Sequence, residues 1–313
     1  MFTGQENGQR WRRTAAVAAV AIAVTSALTL SSCSKSGESA SGTSAGPTNS
    51  TVEVKPQKVD EIAATVPEEI RKSGKLVVGV TIPYTPNEFK DADGKIVGFD
   101  VDLVNAVAAT LGLTAEYRES DFAKIIPSIE GGTFDVGMSS FTDTKEREQQ
   151  VDFVTYFSAG SQWAQKAGAG IDPNNACGKK VSAMAASTQV TDELPAKSKA
   201  CVDAGKPEIQ ILTFDGQDAV TNAVVLGQAD AMSADSPVTA WAIKQSKGKL
   251  EAAGPVFDSA PYGWPVKKGS PLAQSLQKAL EHLIASGDYK TIVTNWGLEA
   301  GAIDKPLING AIN

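Results

Sequence analysis

The chain has 313 residues, 42% of them apolar and 21% charged, an ordinary globular mixture long enough for two domains at roughly 100–200 residues each. Lysine plus arginine (29) falls short of aspartate plus glutamate (36), so the formal net charge is −7. A chain this acidic lacks the basic footprint that a phosphate backbone requires, which excludes nucleic acid as a partner.

The first feature in chain order is Arg10-Trp11-Arg12-Arg13, followed by an Ala/Val/Leu-rich run from Ala15 to Leu30. Its 16 residues fall short of the ~18–20 that span a bilayer, so residues 1–32 read as a secretion signal rather than a membrane anchor. Without that leader, which carries +2, the remaining chain is near −9. Leu30-Ser31-Ser32-Cys33 resembles the bacterial lipobox, which implies that Cys33 is acylated and holds the chain to the outer face of the cell membrane. A plain signal peptide with a chance cysteine is the alternative. Residues 33–65 are assigned to a flexible tether; from Ser34 to about Val54 it is Ser, Gly, Thr, Ala and Pro with little to bury.

The folded body alternates strand and helix patterns. Lys75–Val80 is an apolar strand, and Asp100–Leu111 sets Leu103, Val104, Val107 and Leu111 on one helical face before Gly112. A strand at Ala115–Tyr117, a short helix at Phe122–Ile129 and a strand at Phe134–Met138 follow. A second series runs from a strand at Lys180–Met184 and a helix at Thr188–Ala200 to a strand at Ile209–Thr213 and a helix at Asp218–Leu226. A strand at Ala229–Ser233 then leads to Asp235, and a helix bearing Leu272, Leu276, Leu280 and Leu283 closes the chain. Strand–helix repeats with short links predict doubly wound parallel sheets, which bind ligands at the carboxyl ends of their strands. Two α/β lobes with a cleft between them are expected. Cys177 and Cys201 suit an exported chain in which thiols pair, two buried free thiols being the alternative. One histidine, His282, and no Cys-x-x-Cys spacing argue against a metal site, and no cofactor is implied.

Four stretches carry a resemblance: Lys75-Leu-Val-Val-Gly-Val80, Asp93-Gly-Lys-Ile-Val-Gly-Phe-Asp-Val-Asp-Leu103, Asp135-Val-Gly-Met-Ser-Ser-Phe-Thr-Asp-Thr-Lys-Glu-Arg147 and Ala229-Asp-Ala-Met-Ser-Ala-Asp-Ser-Pro237. In order and spacing they resemble the bacterial solute-binding proteins of the polar amino-acid family, over about Val66 to Leu298. The resemblance implies a two-lobed periplasmic-binding-protein fold that closes by a hinge over a free amino acid and delivers it to an ABC permease and its ATPase. The expected lobes are residues 66–160 with 265–313, and 161–264. A monomer is expected.

A zwitterion entering a closed cleft loses its water, so each of its charges needs a fixed partner. Arg147 offers the planar fork that suits a carboxylate, although without the motif it reads rather as a surface helix cation beside Glu146 and Glu148. Asp143 and Glu146 resemble a helix-start capping box, and the free N–H groups of a helix opening beside Thr142 would face the same carboxylate. Ser139 lies with Ser140 at the same strand end; the resemblance assigns Ser140, Thr142 and Arg147 to the ligand's backbone groups. Asp235 is the expected ammonium partner, or an N-cap for the helix opened by Pro237. Ser187 and Thr188 match small hydroxyl positions of the second lobe, but Ala186 stands where the family often has glycine. Tyr84 and Phe122 match the aromatic walls; alone, Phe122 reads as core. Thr81, Asn87, Met184 and Ala234 predict an uncharged pocket and hence an uncharged side chain. Glu88 reverses that reading if it faces inward. Two further functions use the same fold: a sensor subunit for a membrane kinase and, less favoured, a dehydratase-like enzyme.

Overall fold

The computed structural model describes residues 52–312. The expected leader, Cys33 and most of the tether lie outside them. The described strands are β1 (Lys75–Val80), the hairpin β2 (Phe89–Lys90) and β3 (Ile96–Val97), β4 (Thr114–Glu119), β5 (Val136–Met138), β6 (Val151–Lys166), β7 (Lys180–Met184), β8 (Gln210–Phe214), β9 (Ala231–Asp235) and β10 (Leu250–Lys267). All but the hairpin join one sheet, in the order β4-β1-β5-β10-β6-β9-β7-β8.

This sheet differs from the purely parallel one expected. Each end is parallel, β4-β1-β5 on one side and β9-β7-β8 on the other. Between them run β6 and β10, 16 and 18 residues long and antiparallel to each other and to their outer neighbours. Neither strand announces itself. Both faces of β6 are covered, which erases the alternation that marks a strand. Within β10, Gly254, Pro255, Pro261, Gly263 and Pro265 look like breaks. Val266 of β10 pairs with β5, whereas Ser161–Gln165 of β6 pair with β9, so the two strands pass from one half of the sheet into the other. The β6–β10 register breaks between Ala253 and Phe257, between Phe257 and Ala260, and between Tyr262 and Gly263, where the halves meet.

Each half has its own core. In the first, helix Phe99–Thr110 buries Leu103, Val104 and Val107, and helix Leu272–Ser286 buries Leu276, Leu280 and Leu283, against Leu76 and Val78 of β1. Asp100 and Asp102 fall in the first turn of helix Phe99–Thr110, where carboxylates meet the positive end of the helix dipole. Gly98, just before that helix, has a φ of 143°, and a Cβ there would overlap the Asn87 carbonyl. Only glycine lets the 86–88 loop lie this close, and the contact is fixed by Asp100 N–H donating to Asn87 O at 3.0 Å. In the second half, Trp163, Val181, Leu194 and Ala231 form the centre of a smaller cluster.

The tether is shorter than assigned. Residues 52–65 lie against the first half: Val54 and Ile62 pack on its core, Ala63 is buried, and Val59 N–H donates to Thr110 O at 3.0 Å. These apolar side chains cover core surface that a free tether would leave wet.

Cys177 and Cys201 form a disulfide 24 positions apart that ties the segment before β7 to helix Leu194–Asp203. Closing such a loop stabilises by about 3–3.5 kcal/mol in the chain-entropy model. The double variant Cys177→Ala/Cys201→Ala should therefore unfold at lower denaturant by about 2–4 kcal/mol in urea titrations.

Candidate functional site

The carboxyl ends of β1, β5, β7 and β9 converge where the two halves face each other, as the rule for open α/β sheets requires. There Tyr84, Phe122, Ser139, Ser140, Thr142 and Arg147 from the first half meet Met184, Ser187, Thr188 and Asp235 from the second around one cavity. Its walls close to about 10 Å³, room for roughly one water.

Arg147 is fixed from both sides. Its Nη1 donates to Thr142 O at 2.9 Å and its Nη2 to Ala186 O, on the opposite half, at 3.0 Å. Its guanidinium carbon sits 5.5 Å from the ring centres of both Phe122 and Phe141, which stack on one another at 4.2 Å. Burial pulls the guanidinium below arginine's usual range, and nearby Asp192 and Asp235 oppose that pull. Five N–H groups in a planar fork leave donors to spare for a carboxylate. The helix expected beyond Thr142 is only a single 3₁₀ turn, Arg147–Gln149. Thr144 Oγ1 takes the Arg147 N–H, and Asp143 turns away to accept from Gly310 N–H at 2.7 Å. A buried carboxylate needed elsewhere displaced the capping box, so the helix-dipole contribution anticipated for this site is absent.

Asp235 ends β9 as its sequence position implies, but it does not cap the helix beyond it. Tyr84 Oη donates to its Oδ2 at 2.7 Å, and Gln189 Nε2 donates to its Oδ1 at 2.9 Å and to Ser161 Oγ at 3.1 Å. Burial raises its carboxyl above the ordinary aspartate range, while these donors and Arg147 oppose the rise. Gln189 and Phe141 escaped the sequence reading. Both sit beside assigned residues, and a side-chain amide next to Ser187-Thr188 was the available signal. Gln189 belongs to a π-turn, Gln189–Glu193, a geometry that often re-aims a side chain at a functional site.

Two non-glycine residues of the site have left-handed backbones, Ser140 (φ 52°) and Ala186 (φ 61°), one on each half. Ala186 thus adopts the conformation that glycine would, which turns its carbonyl to Arg147. Ser140 is held by Asp100, whose Oδ2 accepts from Ser140 N–H (3.1 Å), Ser140 Oγ (3.1 Å) and Tyr156 Oη (2.7 Å).

Thr81, Asn87 and Glu88 are buried behind the cavity wall rather than in it, and so is Ala234. The Thr81 N–H donates to Ser139 Oγ at 2.7 Å and its hydroxyl to Ser120 O at 2.9 Å; Asn87 Nδ2 donates to Ser140 Oγ at 2.7 Å. Thr81 and Asn87 thus brace the lining residues Ser139 and Ser140, while Asn87 Oδ1 and both Glu88 oxygens have no partner among the described residues. Three acidic residues, Glu88, Asp100 and Asp235, are buried in this region. Burial and the neighbouring Asp100 push the Glu88 carboxyl well above its ordinary range, and burial raises Asp100 to about 6. Among the described residues no three His, Cys, Asp or Glu side chains are disposed to hold a metal ion.

Two α/β halves joined by two crossing strands, with polar and aromatic side chains meeting between them, define a two-lobed binding protein. The chain belongs to the bacterial extracellular solute-binding proteins, family 3, which it matches over residues 76–299. The arginine-binding protein ArgT of Corynebacterium glutamicum is 40% identical over 296 residues, which cover 94% of this chain and 95% of that protein. The ABC transporter glutamine-binding protein GlnH of Bacillus subtilis is 30% identical over 250 residues, covering 77% of this chain and 86% of its own. Among solved structures, an ancestral arginine-binding protein bound to arginine aligns with a TM-score of 0.66 at 35% identity, covering 71% of this chain and 98% of that one.

The Asp100 bracket carries a stability prediction. Asp100→Ala leaves the buried Ser140 N–H and Tyr156 hydroxyl without their acceptor and should cost about 2–5 kcal/mol. Urea denaturation of the variant beside the parent chain measures it.

Proposed function

We propose that this chain is the substrate-binding component of an ABC importer and captures a free amino acid between its lobes. One observation carries the reading: Arg147 from the first lobe and Asp235 from the second face a single cavity. The guanidinium takes the α-carboxylate in two parallel charge-assisted hydrogen bonds, and Asp235 takes the α-ammonium. Ser140, Thr142, Ser187 and Thr188 supply neutral hydrogen bonds, and Tyr84 and Phe122 flank the ligand's side chain. The arginine- and glutamine-binding relatives support an amino acid with a long polar side chain.

Capture works by hinge closure. A cavity of about 10 Å³ admits no amino acid, so the lobes part for entry. We assign residues 66–160 and 265–313 to the first lobe and 161–264 to the second. The broken β6–β10 register near Phe257–Gly263 is the bending point. A ligand that touches both lobes at once stabilises the closed form, which a permease and its ATPase then read. Acylated Cys33 would hold the monomer at the outer face of the membrane, where the permease lies.

A thermal-shift screen of the twenty amino acids tests the reading, since a ligand at 100 times its Kd adds about 2.7 kcal/mol of stability. Arg147→Ala and Asp235→Ala should each weaken binding of the hit by about 2–5 kcal/mol in calorimetric titration, because each strands a buried charge. Undiminished affinity in both variants would sink the site assignment.

A further inference from the structure

Residues 142–150 carry Thr142 and Arg147 but form no more than one 3₁₀ turn, so little within the segment fixes the guanidinium. Backbone bonds to β10 hold its start: Asp143 N–H donates to Pro261 O at 2.9 Å and Gly263 N–H to Phe141 O at 2.8 Å. Its other side is held by residues 303–312, which lie beyond the stretch that matches the family.

This C-terminal segment is docked along its length. Gln277 Nε2 of helix Leu272–Ser286 donates to Pro306 O at 3.0 Å, and Ile303 and Ile308 pack on the core of the first half. Leu307 N–H donates to Thr155 Oγ1 and Thr155 N–H to Leu307 O, both at 2.8 Å. Phe153 N–H donates to Asn309 Oδ1 at 2.9 Å and Asn309 N–H to Phe153 O at 3.0 Å. Asn309 has a left-handed backbone (φ 55°), which asparagine tolerates better than most residues. From there three donors meet three carboxyl groups: Gly310 N–H to Asp143 Oδ2 (2.7 Å), Ala311 N–H to Glu148 Oε1 (3.1 Å) and Asn309 Nδ2 to Asp152 Oδ1 (2.9 Å). Asp143 is fully buried and its Oδ1 has no partner among the described residues, so the bond from Gly310 is what steadies it.

The two groups that set the guanidinium each stand one residue from a contact of this segment. Thr142, whose carbonyl accepts from Arg147 Nη1 at 2.9 Å, precedes Asp143, and Glu148 follows Arg147. We propose that residues 303–312 are a strap that positions Arg147 for the ligand's α-carboxylate by fixing Asp143 and Glu148. None of them lines the cavity, so they act through the turn and not on the ligand. Two parallel N–H···O bonds require the fork to lie in the carboxylate plane, and a turn free to tilt loses one of them. The effect falls on the backbone end of the ligand, whatever its side chain. This inference rests on the amino-acid-binding reading of Arg147.

Calorimetry of the full chain with L-arginine, L-glutamine or another amino acid returned by the thermal-shift screen tests it. Asp143→Ala takes the acceptor from Gly310 N–H, and Gly310→Pro takes the donor from Asp143. Each should weaken binding about tenfold, and the double variant no further, because both break one contact. Asp143→Asn keeps an acceptor oxygen and should bind within about twofold of the parent chain. In an Arg147→Lys chain, which has no fork to align, Asp143→Ala should cost less than about threefold. Parental affinity in both Asp143→Ala and Gly310→Pro, or an equal loss in the Arg147→Lys chain, overturns the proposal while the amino-acid reading stands. No heat from any of the twenty amino acids with the parent chain overturns both. Gly310→Pro alters only the strap, so it decides the matter if Asp143→Ala folds poorly.

Discussion

Charge taken out of water must be met by charge, and this requirement organises the cleft. An exposed ion pair contributes little, but a guanidinium and a carboxylate stranded between closing walls cost several kcal/mol each when unmatched. Arg147 and Asp235 come from opposite halves, so the closure proposed above would be the event that desolvates them. Arg147 is steadied by carbonyls from both lobes and by the stacked rings of Phe122 and Phe141, Asp235 by Tyr84 and Gln189. Each of the two groups is thus held from both halves of the molecule.

That orientation is held by groups behind the cavity wall. Asp100 fastens Ser140 in a left-handed backbone, Asn87 steadies the Ser140 hydroxyl, and Gly98 lets the loop carrying both Asn87 and Glu88 press onto helix Phe99–Thr110. Residues at strained backbone angles persist only where their surroundings over-determine them, and here three neighbours do so. The same crowding buries both Glu88 and Asp100 behind the site.

Much of the second lobe and most of the first are readable along the chain, because each helix there buries one face against a strand and the repeat is local. β6 and β10 are not. One is covered on both faces, and the other is broken by prolines and glycines that serve a bend rather than an end. Motif order pointed to Arg147, Asp235 and the hydroxyl residues at the strand ends. It did not separate residues in the wall from those behind it, so Thr81, Asn87 and Ala234 were drawn into a pocket they only support. The capping box beyond Thr142 failed for a related reason, since Asp143 was claimed by the backbone near Gly310, a partner far away in sequence.

The sequence by itself determined the α/β class, the alternation of elements, the pairing chemistry of the two cysteines and the residue types able to hold a zwitterion. Those properties follow from local periodicity and from side-chain chemistry that neighbours do not alter. Tertiary structure alone decided the mixed sheet order, the helix that shrank to one turn, the recruitment of Gln189 and Phe141, and the burial of Glu88 and Asp100. Each of these depends on which distant surfaces meet, and a carboxyl's protonation is set by the groups that crowd it rather than by its place in the chain.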